Sequence, residues 1–114
     1  MSLTESLRAV TRVPGVRGAL IVSPEDGLVV AESLMEELDG RAVAALIGSL
    51  ASRVRGLTGQ LGHPAPMLLQ LHAADGALLA AWAPSGLLVV AVTAPDVNAG
   101  QVRLELLGAA ERAA

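Results

Sequence analysis

The stretch Leu87-Leu88-Val89-Val90-Ala91-Val92 decides the fold of this chain. A β-strand places successive side chains on opposite faces of its sheet, so six consecutive apolar residues make both faces of this strand apolar. A strand of this kind is stable only when both faces are covered. The stretch therefore predicts a central strand in a sheet that is packed against helices on both sides.

Two other strand-like segments lie next to this one in the sequence. Glycine-containing turns at Asp75-Gly76 and Ser85-Gly86 separate the three segments, which are residues 67–73, 77–83 and 87–93. Short turns of this type join antiparallel neighbours, so the three form a meander. Gln70 and His72 introduce polar groups on one face of the first segment, which predicts a strand at the edge of the sheet.

The amino-terminal part begins with a helix and a hairpin. Leu3, Leu7 and Val10 recur at helical spacing, and Pro14-Gly15 ends the helix. Residues 16–23 form a strand, residues 24–27 a turn that needs a positive φ at its glycine, and residues 28–32 the returning strand.

A long helix is predicted over residues 41–61, followed by the terminating Gly62-His63-Pro64. Its large apolar residues lie within one arc that we expect to face the core, namely Val43, Leu46, Ile47, Leu50, Val54, Leu57 and Leu61. Asn98 is the predicted N-cap of a last helix. The element order is α-β-β-α-β-β-β-α, and residues 1–114 form a single α/β (α+β) domain.

Composition excludes several classes of function. The chain has a formal net charge of −3 and no basic run, which argues against a nucleic-acid partner. All eight bases are arginine, so there is no lysine for a Schiff base or a phosphate loop. The absence of cysteine suits a reducing compartment, and residues 1–10 do not resemble a secretory signal. We therefore expect a cytoplasmic protein.

The uncharged stretch of residues 77–95 is close to the length of a membrane span. Pro84, Ser85 and Gly86 interrupt it in the middle, and strand-forming residues follow. Two buried strands joined by a turn are the better interpretation, so we expect no membrane insertion.

Motifs for catalysis are missing from the sequence. It contains no G-x-x-x-x-G-K-[ST] phosphate loop and no G-x-S-x-G nucleophile motif. His63 and His72 are the only histidines, and they share no ligand spacing with each other or with a carboxylate. We expect no enzyme activity, no cofactor and no metal.

Two features have more than one interpretation. The acidic linker of Glu32, Glu36, Glu37 and Asp39 could attract a cation or a partner, but a solvated run that favours the start of a helix is the commoner arrangement. Trp82 could line a ligand pocket, although a sole large aromatic more often fills core or interface volume.

Small residues form a stripe on the long helix, opposite the predicted core arc. A smooth helix surface lets another helix approach closely, whereas an alanine- and glycine-rich protein could simply have filled an exposed face in this way. We favour a contact surface along this stripe, which comprises Ala45, Gly48, Ser49, Ser52, Gly56 and Gly59, with Arg41 in line.

The chain resembles the bacterial roadblock/dynein light chain family. The resemblance rests on RVPGVRGALIVSPEDGLVVA (12–31), the long helix, and SGLLVVAVTAPDVNAGQVRLEL (85–106), where Asn98-Ala99-Gly100 opens a helix. It implies a five-stranded antiparallel sheet with the first and last helices on one face and the second helix on the other. It also implies a homodimer in which third strands and second helices meet across a twofold axis.

Relatives of the gliding-regulator type bind Ras-like GTPases and influence their nucleotide cycle, in known cases without inserting an arginine finger. The resemblance therefore implies a non-catalytic homodimeric regulatory or scaffolding subunit, such as a GTPase-activating one, and gives Arg41, Arg53 and Arg55 no catalytic role. The expected interface consists of the small-residue stripe with Arg41, plus Met67, Leu69 and Leu71. The alternatives are a purely structural dimerisation module and a small-ligand sensor that uses a pocket near Trp82.

Overall fold

A computed structural model of the protein describes residues 3–35, 37–64 and 66–113. The elements follow the predicted order, α-β-β-α-β-β-β-α. Their bounds are α1 Leu3–Thr11, β1 Val16–Ser23, β2 Leu28–Leu34, α2 Gly40–Gln60, β3 Leu68–Ala73, β4 Gly76–Trp82, β5 Leu88–Thr93 and α3 Ala99–Arg112.

The five strands form one antiparallel sheet in the order β2-β1-β5-β4-β3. β5 is the central strand, and Leu88 to Ala91 within it are buried. β3 lies at one edge of the sheet and β2 at the other. The predictions of a central β5 and an edge β3 are both confirmed.

α1 and α3 cover one face of the sheet. Leu7 and Val10 of α1 pack in the same cluster as Val102 and Leu106 of α3, and all four side chains are fully buried. The sheet contributes its alternate residues to this layer, among them Ala19, Ile21, Leu79, Ala81, Val89 and Ala91. The alternation follows from the period of two along each strand.

α2 covers the other face of the sheet. Ala44, Ile47 and Ala51 of α2 pack against the remaining alternate strand residues, which include Leu20, Val22, Ala80, Leu88 and Val90. Because both helix layers rest on the same central strands, residues 87–92 must be apolar throughout. The expected distribution of helices over the two faces is confirmed.

The β1–β2 hairpin turns as predicted, with Gly27 at a φ of 67° and its N–H donating to the carbonyl of Ser23 at 2.9 Å. The prediction that β2 ends at residue 32 is wrong, because β2 continues to Leu34. Glu32 is therefore part of a strand and not of a linker. The sequence does not show this extension, since exposed Glu32 and Ser33 resemble loop residues and only pairing with β1 keeps them extended.

The prediction of which α2 face meets the core holds only in part, since Ile47 is buried and Val43 and Leu50 pack against the same cluster. Leu46, Leu57 and Leu61 are 67%, 56% and 62% exposed, although the periodicity assigned them to the core. The buried residues of α2 are Gly40, Ala44, Ile47, Gly48 and Ala51, and only Ile47 among them belongs to the predicted arc. With successive residues about 100° apart, the centre of this buried face is rotated by roughly a quarter turn from the centre of the predicted arc.

The rotation has a steric explanation. Small side chains at Ala44, Gly48 and Ala51 let the helix axis come close to the sheet and to the β1–β2 turn. A Cβ on Gly48 would lie 3.3 Å from the carbonyl oxygen of Pro24. Hydrophobic periodicity predicts that the leucines face the sheet, whereas close packing brings the small residues to it.

The uncharged stretch of residues 77–95 contains β4, a turn and β5, as predicted. Gly86 has a φ of 93°, and its N–H donates to the carbonyl of Ala83 at 2.9 Å to close that turn. Among the described residues, no helix has both the length and the apolar character that crossing a membrane requires.

Candidate interaction site

The start of α2 is fixed by Asp39. One of its carboxylate oxygens accepts the N–H groups of Arg41 and Ala42 at 3.1 and 3.2 Å, which makes Asp39 the N-cap. This agrees with the interpretation of the acidic segment as charge that favours a helix start. Glu36, another acid of that segment, lies outside the described residues.

Glu37 connects the same segment to β1. Its carboxylate accepts a hydrogen bond from the Arg17 guanidinium at 3.2 Å, and both side chains are partly exposed. A hydrogen bond from the backbone of Glu37 itself, and then the Arg17 guanidinium, lower the pKa of the Glu37 carboxyl from its ordinary value of 4.5. The segment before α2 is thus attached to the sheet by a surface ion pair.

The side of the sheet that carries α2 is only partly covered, because α2 lies over β1 and β2. Leu69 pairs with Ala80 and Leu71 pairs with Leu78, so both leucines of β3 point to this face. An open cleft of about 340 Å³ lies there, lined by Leu71, Leu78 and Val92 with Arg17 at its end. We call these three apolar residues with Leu69 the open shelf.

Large apolar side chains are exposed at β3 and on α2. Met67, which precedes β3, is 72% exposed, and Leu71 is 42% exposed. Leu46, Leu57 and Leu61 of α2 are exposed as well, and we call these three residues the leucine arc. Several large apolar side chains left exposed are typical of a surface that another protein covers.

Sequence reasoning placed the leucine arc in the core and so omitted it from the candidate interface. A signal was nevertheless present in the sequence. α2 carries the leucine arc and also the apolar residues Ala44 and Ala51 on a neighbouring face, which is a wider apolar surface than one sheet contact can bury. An apolar surface of this width leaves part of the helix exposed after it has packed on the sheet.

The small-residue stripe divides into two parts. Gly48 is buried against the β1–β2 turn, and Gly27 of that turn approaches Ala45 closely. This end of the stripe therefore packs against another part of the same chain. The prediction that the stripe lies opposite the core is therefore wrong for Gly48. Gly56 and Gly59 remain exposed, and a Cβ at either position would meet no atom within 4 Å.

The remaining stripe residues of the predicted interface, Ser49 and Ser52, are exposed, as is Arg41 at the first turn of α2. α2 carries no acidic residue. The exposed side chains of α2 are consequently uncharged or basic.

The opposite face of β3 is polar and belongs to the α3 side. Arg103 of α3 donates to the side-chain oxygen of Gln70 at 3.1 Å, and the Gln70 amide contacts the His72 ring. His72 is exposed, as expected for the less apolar face of this strand.

His63, the other histidine, is also exposed and follows α2, where its N–H donates to the carbonyl of Thr58. Within the three described ranges, no cluster of His, Asp and Glu side chains could hold a metal ion.

Trp82 packs against the core under α2, which agrees with the preferred interpretation of this residue. Its indole nitrogen is buried and has no hydrogen-bond partner among the described residues. The adjoining cleft, bordered by Pro24, Ser52 and Arg55, has a volume of about 40 Å³. Ligand pockets usually start near ~300 Å³, so this cleft holds a water molecule more readily than a metabolite.

Comparisons with known structures identify the same architecture in other proteins. MglB of Myxococcus xanthus superposes with a TM-score of 0.88 at 16% identity, covering 97% of this chain and 90% of that one. The gliding protein MglB of Thermus thermophilus superposes with a TM-score of 0.83 at 23% identity, covering 96% and 83%. A roadblock/LC7 domain from Streptomyces avermitilis gives 0.83 at 22% identity, covering 96% and 90%.

At these identities the likeness shows a shared fold. The search of curated proteins found no match. The sequence model of the roadblock/LC7 domain, in contrast, matches residues 3–92, which is most of the chain from α1 to the end of the central strand. α3 follows the matched residues, and its place in the fold is shared with the solved structures, which cover nearly the whole chain. This chain belongs to the roadblock/LC7 family.

Proposed function

We propose that the protein is a cytoplasmic, homodimeric regulatory or scaffolding subunit that binds a small Ras-like GTPase and modulates its nucleotide cycle. Family membership and the likeness to MglB structures support a regulatory role. The observation that carries the homodimer is the open shelf next to β3. An apolar strand edge and an apolar shelf on the same side of one chain fit a second copy better than solvent.

The character of the β3 edge supports strand pairing between two copies. β3 pairs with β4 in unbroken register from Leu68 to Ala73, and β3 contains no Asp, Glu, Lys or Arg. Its outward N–H and C=O groups therefore keep the regular alternation that an incoming antiparallel strand requires. Two β3 strands that pair about a twofold axis form an isologous interface, which closes at two subunits.

The second helix would complete this interface. In the proposed dimer, each open shelf receives side chains of the partner's leucine arc, which removes both from water. At about 25 cal/mol per Å² of buried apolar surface, leucines of this exposure contribute on the order of 1 kcal/mol each before the cost of association. The exposed end of the small-residue stripe, around Gly56, is then available to contact either the partner subunit or the GTPase.

The partner class rests on the sequence resemblance to the gliding-regulator branch, whose members bind Ras-like GTPases. The chain itself lacks a phosphate loop and a lysine, so nucleotide chemistry would take place on the partner. A purely structural dimerisation module remains the competing function, and the following experiment separates the two.

The test is capture of a candidate Ras-like GTPase from the same genome, loaded with GDP or with a non-hydrolysable GTP analogue. We expect nucleotide-dependent capture and a change in single-turnover GTP hydrolysis or nucleotide exchange when the protein is added. The protein alone should not turn over GTP. A dimer that captures none of the encoded Ras-like GTPases in either nucleotide state would support the structural module instead.

A further inference from the structure

The two edges of the sheet differ in their capacity to accept another strand. β3 is regular over its whole length. β2 contains a register shift against β1, where Ile21 pairs with Ala31 and Val22 pairs with Val29. Val30 therefore has no opposite residue on β1, which makes it the extra residue of a β-bulge.

β2 would be hazardous as an open edge. Leu28 and Val30 are exposed large apolar residues, and the segment Leu28-Val29-Val30-Ala31 is uncharged and rich in strand-forming residues. An exposed apolar edge of this composition promotes pairing with other chains. Within the part of the chain that the structure describes, no strand pairs with β2 on its outer side.

The bulge changes the geometry of that edge. One extra residue disturbs the regular spacing of the outward N–H and C=O groups and increases the local twist of the strand. An incoming straight strand could pair only with the short segment before Val30 or with the segment after it, where Glu32 and Ser33 are exposed and polar. Neither segment offers the six regular residues that β3 presents.

We propose that the bulge at Val30 closes the β2 edge to strand pairing, so that assembly of this protein through its sheet is confined to β3. A closed β2 edge follows from the geometry of β2 itself. The consequence that assembly ends at two copies rests in addition on the proposed function, in which two β3 strands pair.

The consequence for assembly is large because the two edges lie at opposite ends of one sheet. Pairing of β2 of one copy with β3 of another is a heterologous contact, which repeats from copy to copy without closing. A chain with two competent edges would grow into a continuous sheet. The bulge removes one of the two, and only the isologous β3 contact remains.

Deletion of Val30 tests the proposal. The residues on either side, Val29 and Ala31, already pack on opposite faces of the sheet, so the deletion leaves a regular strand and preserves both core contacts. We expect the deletion variant to form species larger than the wild-type assembly, in a concentration-dependent manner, in sedimentation velocity. Val30→Ala keeps the bulge and should sediment like the wild-type protein.

A second substitution connects the larger species to the β2 edge. Leu28→Lys in the deletion background adds a charge next to the edge, where Leu28 is 61% exposed, and should restore the wild-type sedimentation profile. Persistence of the larger species in this double variant would contradict the proposal, since their formation would not depend on the β2 edge. A folded deletion variant of wild-type size at every concentration would contradict it as well.

Val30→Lys, made without the deletion, tests the proposal if the deletion variant does not fold. A closed edge takes no part in assembly, so a lysine on it should leave the size of the wild-type assembly unchanged. A smaller assembly would overturn the proposal, because it would show that β2 is already in use. Failure of the proposed β3 dimer is detected separately, by a monomeric wild-type protein.

Discussion

Leu71 of β3 lies directly opposite Leu78 of β4, on the face of the sheet that carries α2. α2 is positioned over β1 and β2, so this leucine pair borders an open cleft of about 340 Å³. Leu78 is half-buried and Leu71 is exposed, which places the limit of the core between the two residues. The candidate interface begins at that limit.

Leu71→Lys should convert the proposed dimer to a monomer. The substitution places an ammonium group on the open shelf, where a partner subunit would have to desolvate it. Sedimentation equilibrium at micromolar concentration measures the result, with Leu28→Lys on the opposite sheet edge as the control. A wild-type protein that is already monomeric at this concentration would contradict the proposed dimer, and an unchanged dimer in the variant would remove Leu71 from the interface.

Gly56→Glu should preserve the fold and weaken an interaction. Gly56 is exposed, a Cβ there would meet no atom within 4 Å, and glutamate has a better helix propensity than glycine. Circular dichroism and the thermal transition should remain close to those of the wild-type protein, while dimerisation or capture of the GTPase should decrease. If neither binding activity changes, the exposed end of the small-residue stripe is not a contact surface.

Two glycines of α2 should respond differently to alanine. Gly56→Ala should stabilise the protein by up to about 1 kcal/mol, because alanine is the better helix former and the position is open. Gly48→Ala should lose this gain or destabilise the protein, because its Cβ would lie 3.3 Å from the Pro24 carbonyl oxygen and 3.4 Å from the Gly27 Cα. Urea denaturation of the two variants provides the comparison, and equal stabilisation of both would contradict the packing of α2 against the turn.

Asp39→Ala should destabilise the protein by about 1 kcal/mol, because the N–H groups of Arg41 and Ala42 lose their acceptor. Asp39→Asn retains an acceptor at the same position and should recover most of this loss. Chemical denaturation measures both variants. A loss of the same size in the asparagine variant would show that the charge of Asp39 matters more than the cap.

The contribution of Glu37 should depend on pH and salt. Its folded-state pKa is lowered, so the stability that it contributes is fully present above the ordinary value of 4.5 and is lost as pH falls through the lowered folded-state pKa. Thermal melts of the wild-type protein and Glu37→Gln should therefore differ slightly at pH 7 and converge as the pH falls through that lowered folded-state pKa. Added salt should reduce the difference at pH 7, because the Arg17–Glu37 pair is exposed.

Much of the fold is determined by local sequence pattern. The central position of β5 follows from an apolar run that needs two covered faces, and the edge position of β3 follows from Gln70 and His72 among its leucines. Gly27 specifies the hairpin turn through its positive φ, and Asn98 caps α3 by accepting the N–H of Gln101 at 3.1 Å. Each of these features depends on a few adjacent residues, so the sequence predicts it.

The rotation of α2 and the extent of the candidate interface were decided only by tertiary structure. Periodicity detects an apolar arc but does not indicate whether the neighbour that covers it belongs to the same chain. Close packing against the sheet placed the small residues Ala44, Gly48 and Ala51 at the core, and it left the leucine arc exposed. The bulge at Val30 likewise arises from the register between two strands, which no single segment of sequence contains.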